Sequence, residues 1–496
     1  MERSLVCLCL TGKTLSEDIE IVKKYRNFID LVELRVDFLE QDERLRIREF
    51  PSMIDVPAIL TIRRCIDGGV YMEGESSRTM LFARGLAFAD EDPSKNFAYV
   101  DFEEDFHVPS LEDAALAFGT KIIRSYHNMT DPVLDIVKKV NSMRTTGFEI
   151  PKIAFMPHTL NDVTRVFKDA QHLKDSQQIL CAMGPLGLPT RILSDKLHSY
   201  LTYTSPAELM SNLLEIGHTD PITLSKVYHF QKIDDNTKIF GITGFPLKVT
   251  SSPELHNSLY EENKMNAVYI PFKSETIEDA MQFANTLDIK GFSVTIPHKE
   301  TVIPLLRRID HKAEEIGACN TVVRDGDSWK GYNTDAIGFE KALLEFTGLK
   351  NLKHKKVSIL GAGGASRAIA YVIKQLGAKA CVFNRTLAKA RLIAEKYGFE
   401  YATLGPESIE KLKKYSDIFV QTTSKGMGST EQSNQDNDPI WFYDFNGKEF
   451  VYDIVYSPEV TPVMARADAS GCKVCNGFSM LRYQGLAQFD LFKELV

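Results

Sequence analysis

A lysine amine attacks a carbonyl only after shedding its proton, and burial away from water is one way to lower its pKa. Lys152 is placed for this. It heads the run Pro151-Lys152-Ile153-Ala154-Phe155-Met156, and the two-residue repeat of a strand sets it on the face of Ala154 and Met156. If that face lines a barrel interior, the amine is desolvated and nucleophilic. If Lys152 merely opens the strand, its long stem lets the ammonium reach back to water. His127, in Ser125-Tyr126-His127-Asn128, follows a second such run and is a candidate proton carrier. Glu33, Arg35 and Asp37 alternate at the end of a third, so all three aim to one side, and Arg63 ends a fourth. Chance is a poor account of so many charged groups at strand ends.

A second chemistry is written in Val357-Ser-Ile-Leu-Gly-Ala-Gly-Gly-Ala-Ser-Arg367. An apolar β-branched run ends in a glycine cluster, and a helix-compatible segment, Ala368 to Leu376, follows. Gly361 permits a sharp turn, and Gly363, followed by Gly364 and Ala365, lets backbone N–H groups approach a pyrophosphate at a helix N-terminus. Ser366 stands where the dinucleotide fingerprint prefers Gly or Ala. The next strand, Lys379 to Phe383, runs into Asn384-Arg385-Thr386, where an NAD site carries Asp or Glu for the ribose. Arg385 suits a 2′-phosphate instead, with Lys389 as a second positive contact, so the expected cofactor is NADP. Between the two regions, Thr250, Ser252, Thr295, Lys299, Asn320 and Asp335 arrive at strand or loop ends. A polyhydroxylated ligand needs such a set. Ser252 before Pro253 also reads as a helix cap.

Elements must hold these residues in place. Short apolar runs recur at Leu5–Leu10, Asp30–Val36, Ala58–Ile62, Phe97–Phe102, Lys121–Tyr126, Lys152–Met156, Gln178–Met183 and Tyr200–Tyr203, with helical segments between them. Eight strands alternating with helices in about 200 residues predict a parallel (β/α)8 TIM barrel, where chemistry sits at strand ends. Asp234-Asp235-Asn236-Thr237 reads as a linker. Beyond it the sequence predicts an α/β substrate domain over 238–340, a Rossmann domain over 341–475, and a helix over 476–496 that returns to the substrate domain. The barrel takes 1–233. The polar stretch Gly428 to Pro439 reads as a mobile loop.

At 496 residues the chain exceeds one ordinary domain, and 44% apolar and 25% charged residues suit a soluble globular protein. A net charge of −8 without a basic block argues against nucleic acid as a partner. No run reaches membrane-spanning length, and the Ser4 to Leu10 run is too short for a secretory signal. Eight scattered cysteines read as reduced core residues, with no metal site among them, so a cytoplasmic location is expected.

Glu33-Leu-Arg35-Val-Asp37, the segment from Arg63 to Gly68-Gly69, Ser125-Tyr-His127-Asn, Lys152-Ile-Ala-x-Met-Pro157 and Met183-Gly184…Arg191 resemble the type I 3-dehydroquinate dehydratases. The resemblance implies Lys152 as the imine-forming nucleophile and His127 as general acid/base, with Glu33, Arg35, Arg63, Asp67 and Arg191 holding the substrate's hydroxyls and carboxylate. Asp67 stands where that family has glutamate. Ile216-Gly217-His218 stands where it has Pro-Gly-Gln, so its lid serine and glutamine have no matching residues.

From Gly244 through Gln484 the chain resembles the shikimate dehydrogenases. Thr-Ile-Pro-His-Lys299 and Asn333-Thr334-Asp335 carry the resemblance, and it implies Lys299 and Asp335 as the catalytic pair. Thr250, Ser252, Thr295, Asn320 and Gln484 would hold substrate. Gly361, Gly363, Gly364, Ala365, Asn384, Arg385, Thr386, Lys389 and Gly477 would line the NADP site. Val249-Thr250 replaces the usual His-Ser, and Ser293 stands where many members have asparagine. Together the resemblances imply two consecutive steps on small molecules, 3-dehydroquinate to 3-dehydroshikimate to shikimate, with no metal, nucleic acid or membrane partner. A quinate dehydrogenase joined to the dehydratase is the alternative that Thr250 keeps open.

Overall fold

A computed structural model describes residues 3–87, 90–247 and 250–496, with the backbone alone at 214 and 215. It divides into two compact units, Met1–Ile289 and Lys290–Val496.

The first unit begins with eight strands: β1 Leu5–Leu10, β2 Leu31–Arg35, β3 Ala58–Thr61, β4 Tyr99–Glu103, β5 Lys121–Asn128, β6 Glu149–Phe155, β7 Ile179–Ala182 and β8 Leu201–Thr204. They pair in the order β7-β6-β5-β4-β3-β2-β1-β8, all parallel. The barrel is nearly closed. Between β7 and β8 only the bridge Gln178–Ser199 completes the circle, reinforced by Gln178 Nε2 donating to His198 O at 2.8 Å.

The barrel interior changes character along the strands. Cys7, Leu31, Ile59, Tyr99, Ile123, Ile150, Ile179 and Leu201, one from each strand, form a buried apolar plug. Two residues further along each strand stand Cys9, Glu33, Thr61, Asp101, Ser125, Lys152, Cys181 and Tyr203, all buried. The same strand repeat that fills the plug therefore seats charged groups on it, at the carboxyl ends of the strands.

Two expected strand bounds are corrected. Lys152 is the fourth of seven residues in β6, not its head, and His127 lies inside β5 rather than after it. The runs were under-read because Pro151 and the polar Ser125–Asn128 look like strand breakers. The two stretches nonetheless pair with each other, Arg124 with Pro151 and Ser125–Asn128 with Lys152–Phe155.

Asp234 holds the expected linker as a tight turn, its Oδ1 accepting from the Asn236 and Thr237 N–H groups. Next come β9 Lys238–Thr243 and β10 Ala267–Pro271, a parallel pair joined through the helix Ser252–Glu262. The helix Ile277–Thr286 packs on the barrel helix Leu160–Ala170, with Phe167 and Phe283 edge to face at 5.9 Å.

In the second unit, β11 Gly291–Val294 pairs antiparallel with β13 Thr321–Asp325, which turns back into β14 Ser328–Tyr332. The short β12 Arg308–Ile309 runs parallel to β14. After the helix Asp335–Thr347 come β15 Lys356–Leu360, β16 Lys379–Asn384, β17 Glu400–Thr403, β18 Ile418–Gln421, β19 Phe450–Asp453 and β20 Lys473–Cys475. Their order, β17-β16-β15-β18-β19-β20, all parallel, is the doubly wound pattern whose crevice lies where the order reverses, between β15 and β18. The final helix, Phe478–Phe492, lies on Asp335–Thr347. A Cβ on Gly338 would sit 2.7 Å from the Met480 carbonyl oxygen, so only glycine allows that approach. The stretch read as a mobile loop is held instead: buried Asp438 pairs with Arg466 at 2.8 Å, and Asn437 bonds to Ser429 and Gln432. Among the described residues no helix is long and apolar enough to cross a membrane.

Candidate active sites

The first site is a small cavity of about 40 Å³ at the carboxyl end of the barrel. Glu33, Arg35, Arg63, Asp67, His127, Lys152 and Arg191 all line it, so the barrel brings every residue expected of it into one place.

Lys152 is 5% exposed. Its Nζ lies 3.0 Å from Asp101 Oδ2, 3.5 Å from Glu33 Oε1 and 4.3 Å from the centre of the Tyr203 ring. Reaching back to water is ruled out by this burial. The expected loss of basicity is corrected too: burial pulls the Lys152 pKa down, but the Asp101 and Glu33 carboxylates outweigh it and hold the amine above its ordinary value. The resting lysine is an ammonium. Burial, with Arg63 and Lys152 close by, pushes the His127 pKa well below 6.5, so its imidazole is neutral, and its Nδ1 has no hydrogen-bond partner. A neutral imidazole thus shares the cavity with the ammonium.

Asp101 and Glu103 are the residues that sequence reasoning missed. Asp101 accepts from Lys152 and from Ser125 Oγ at 2.5 Å, and forms an ion pair with Arg63, whose Nη2 lies 2.7 Å away. Burial alone would raise its carboxyl pKa; Arg63 and Lys152 reverse this and hold it far below the usual range. Glu103 takes Arg63 Nη1 at 2.9 Å and Arg78 Nη1 at 2.6 Å. Tyr99-Val-Asp101-Phe-Glu103 has the same alternation as Glu33-Leu-Arg35, and that signal was available in the sequence.

The other arginines differ in their freedom. Arg35 is forked onto Asp37, Nε to Oδ1 at 3.0 Å and Nη2 to Oδ2 at 2.8 Å. Asp67 pairs with Arg64 at 2.7 Å. Arg191, 1% exposed, spends one Nη2 donor on the Ile216 carbonyl at 3.0 Å, while its Nε and Nη1 have no hydrogen-bond partner. A buried guanidinium with donors to spare is a seat for a carboxylate.

The second site lies beside the carboxyl end of β11. Lys299 Nζ contacts Asp335 Oδ2 at 2.5 Å. Asn320 Nδ2 donates to Asp335 Oδ1 at 2.8 Å, to Thr334 Oγ1 at 2.9 Å and to Gln484 Oε1 at 3.3 Å. The returning helix thus delivers Gln484 to the support of the Lys299–Asp335 pair. Thr295, directly after β11, is half-buried and caps the turn that carries Lys299, its carbonyl accepting from His298 N–H at 2.9 Å. Ser293 bonds to Gln488 at 3.0 Å, which accounts for a serine there.

Thr250 and Ser252 lie in the first unit, the Thr250 hydroxyl donating to Ser252 Oγ at 3.1 Å. The helix starts at Ser252 with Ser251 in the cap position, so Ser252 is not the cap. Val249 is outside the described residues.

Gly361 has φ +118°, and a Cβ there would strike Thr422 Oγ1 at 2.4 Å. At Gly363 a Cβ would meet nothing within 4 Å, so the turn leaves open space above its backbone. Gly364 and Ala365 begin the helix Gly364–Gln375. Ser366 explains its departure from the fingerprint: its buried hydroxyl accepts from Gly363 N–H at 3.1 Å and bonds to Thr422 Oγ1 at 2.6 Å, clamping the turn to β18. A Cβ on Gly364 would sit 3.2 Å from Lys299 Cβ, which puts the lysine stem against the turn. Asn384 ends β16, its amide donating to Thr386 O at 3.0 Å, and Arg385, Thr386 and Lys389 are exposed after it. Among the described residues no carboxylate pairs with Arg385 or Lys389. Gly477 has a packing reason: a Cβ would lie 2.0 Å from the Ile454 carbonyl. All eight cysteines are free. Six are buried, but Cys65 is exposed and Cys475 intermediate, so those two are not core residues.

Residues 6–235 match the model of type I 3-dehydroquinase, 242–322 the shikimate dehydrogenase substrate binding domain, and 343–442 shikimate / quinate 5-dehydrogenase. The bifunctional 3-dehydroquinate dehydratase/shikimate dehydrogenase, chloroplastic, of Arabidopsis thaliana is 30% identical over 99% of this chain and 82% of its own length. A shikimate dehydrogenase (NADP(+)) of Caldanaerobacter subterraneus is 40% identical over 53% of this chain and 93% of its own. The crystal structure of shikimate dehydrogenase from Aquifex aeolicus aligns with 53% of this chain and 94% of its own at 35% identity and a TM-score of 0.48. With 30% identity to the Arabidopsis protein over 99% of the chain, and with the dehydroquinase model and both shikimate dehydrogenase models matched, the chain belongs to the bifunctional 3-dehydroquinate dehydratase/shikimate dehydrogenase family.

Proposed function

We propose that the barrel dehydrates 3-dehydroquinate to 3-dehydroshikimate through an imine on Lys152, and that the rest of the chain reduces this product to shikimate with NADPH. One observation supports the first step above all: a buried lysine between two carboxylates, sharing its cavity with a neutral histidine.

Lys152 reacts from its deprotonated form, its proton passing to water and returning to the ketone oxygen as that oxygen leaves. The free amine adds to the substrate ketone, and the ketone oxygen leaves as water when a C=N bond forms. The iminium acidifies the adjacent C–H; His127 removes that proton and delivers one to the departing hydroxyl, which leaves as a second water with formation of C=C. A water then hydrolyses the imine and restores the amine. Asp101 and Glu33 hold the nitrogen in place throughout. Arg191 seats the carboxylate with its spare donors, and Glu33, Arg35, Arg63 and Asp67 hold hydroxyls.

For the second step, the residues fit NADP. The open space above Gly363, in the turn it forms with Gly361, Gly364 and Ala365, suits the pyrophosphate, and unpaired Arg385, with Lys389, Asn384 and Thr386, suits a 2′-phosphate. NADPH, when bound, supplies the hydride. Lys299, oriented by Asp335, gives the proton to the oxygen of the carbonyl being reduced. Asn320, Thr295 and Gln484 in the second unit and Thr250 and Ser252 in the first serve as substrate-holding residues, and Gly477 as a backbone neighbour of the cofactor.

The functional division we adopt is 1–233 for dehydration, 238–340 for the substrate domain, 341–475 for NADP and 476–496 for the returning helix. The bonded turn at Asp234 supports a boundary there. Free cysteines suit a reducing compartment such as the cytoplasm; the Arabidopsis relative is described as chloroplastic. The test is a single cuvette. With 3-dehydroquinate and NADPH the whole chain should oxidise the cofactor, and Lys152→Ala should do so only when supplied with 3-dehydroshikimate. Oxidation by Lys152→Ala from 3-dehydroquinate would overturn the imine route.

A further inference from the structure

We infer that His218 is a substrate-contact residue of the dehydratase cavity, its Nε2–H donating to the carboxylate that Arg191 seats. The inference rests on the dehydratase reading above and identifies what stands in this chain where the family's lid glutamine is missing. His218 lines the cavity. Its Nδ1 lies 2.6 Å from Ser205 Oγ, and its ring is parallel to that of Tyr203, 7° between planes and 6.3 Å between centres. Tyr203 in turn has the Lys152 ammonium 4.3 Å from its ring centre. Imidazole, phenol and amine form a stack along one wall.

The segment carrying His218 is built in rather than hinged. The Ile216 carbonyl accepts from Arg191 Nη2 at 3.0 Å and from Gly184 N–H at 3.0 Å. Gly217 has φ +70° and lies so close to Gly184 that a Cβ would be 2.6 Å from its backbone. The bond from Arg191 to Ile216 therefore fixes the arginine and the histidine, two residues further on, in one frame. Arg191 keeps two donors without partners, Nε and Nη1. Burial above all, then the charges of Arg191, Arg35 and Lys152, disfavours the imidazolium. With the Ser205 hydroxyl donating to Nδ1, the proton sits on Nε2, and a neutral N–H donor faces an anion without adding charge to a cavity already rich in cations. A charge-assisted hydrogen bond of this kind is worth about tenfold or more in binding.

The experiment measures kcat and KM for 3-dehydroquinate, and competitive inhibition by a ring-matched cyclohexane carboxylate and its carboxamide. His218→Ala should raise KM about tenfold, leave kcat within about threefold, and lower the preference for carboxylate over carboxamide about tenfold. His218→Gln should restore most of that preference. Ser205→Ala, which releases the tautomer, should lose part of it. His218→Phe keeps the stack on Tyr203 without the donor and should behave as His218→Ala, so it carries the test if the alanine variant does not fold. An unchanged carboxylate preference, or a loss confined to kcat, overturns the role of His218. Failure of the unmodified chain to give a borohydride-trapped imine with 3-dehydroquinate would instead overturn the dehydratase reading itself.

Discussion

Each half of this molecule keeps a lysine beside a carboxylate, yet the two settings differ. Lys152 is enclosed, faces Asp101, Glu33 and an aromatic ring, and belongs to a network that runs on through Arg63 and Glu103 to Arg78. Lys299 has one carboxylate partner, Asp335, whose other oxygen is held by Asn320, and its stem rests against the open glycine turn. A nucleophile that forms and breaks a covalent bond must stay put in two charge states, and several fixed counter-charges do that. A proton donor at a reducible carbonyl needs one orienting partner and an open side from which hydride can arrive.

The largest effect separates the two lysines. Lys152→Ala should abolish dehydration and borohydride trapping while reduction of 3-dehydroshikimate continues. Lys299→Ala should lower reduction by about 10²–10⁴-fold and leave trapping intact. Loss of both activities in either variant would dissolve the contrast. Next is the network: Asp101→Asn leaves Arg63 and Lys152 short of a buried partner, and should cost about 3–5 kcal/mol in unfolding free energy by denaturant melt. It should also move Lys152 labelling by amine reagents to lower pH, because a carboxylate that raised the pKa is gone. Asp335→Asn, in the more open setting, should cost far less stability.

Arg385→Ala should weaken NADPH by about 10–100-fold and NADH hardly at all, measured by KM for each cofactor. Equal losses would show that Arg385 does not read the 2′-phosphate. Acidification touches the barrel. In the proposed route His127 is the neutral base, and burial with Arg63 and Lys152 nearby holds its pKa well below 6.5, so dehydration should hold as pH falls through 6.5 and decline only further down. An inflection at or above 6.5 in kcat/KM would remove His127 from that role. The smallest effect is at Thr250, whose extra methyl group bears on the choice between shikimate and quinate. Thr250→Ser should change the ratio of their kcat/KM values by only about 10-fold or less.

Much of this was legible without coordinates. Period-two alternation put Glu33 and Arg35 on one face of their strand and Lys152 on the face of Ala154 in its own, the spacing of apolar runs announced a barrel, and the glycine cluster announced a strand-turn-helix. Those are local signals, set by backbone geometry over a few residues. Tertiary structure decided the rest. It put Asp101 against Lys152 and so turned an amine expected to lose basicity into a held ammonium. It clamped the glycine turn through Ser366 and Thr422, 56 residues apart in sequence. It also tied Arg191 to the backbone beside His218, leaving two donors free. Electrostatics and packing depend on distances between chain segments remote in sequence, and no short-range pattern carries those distances.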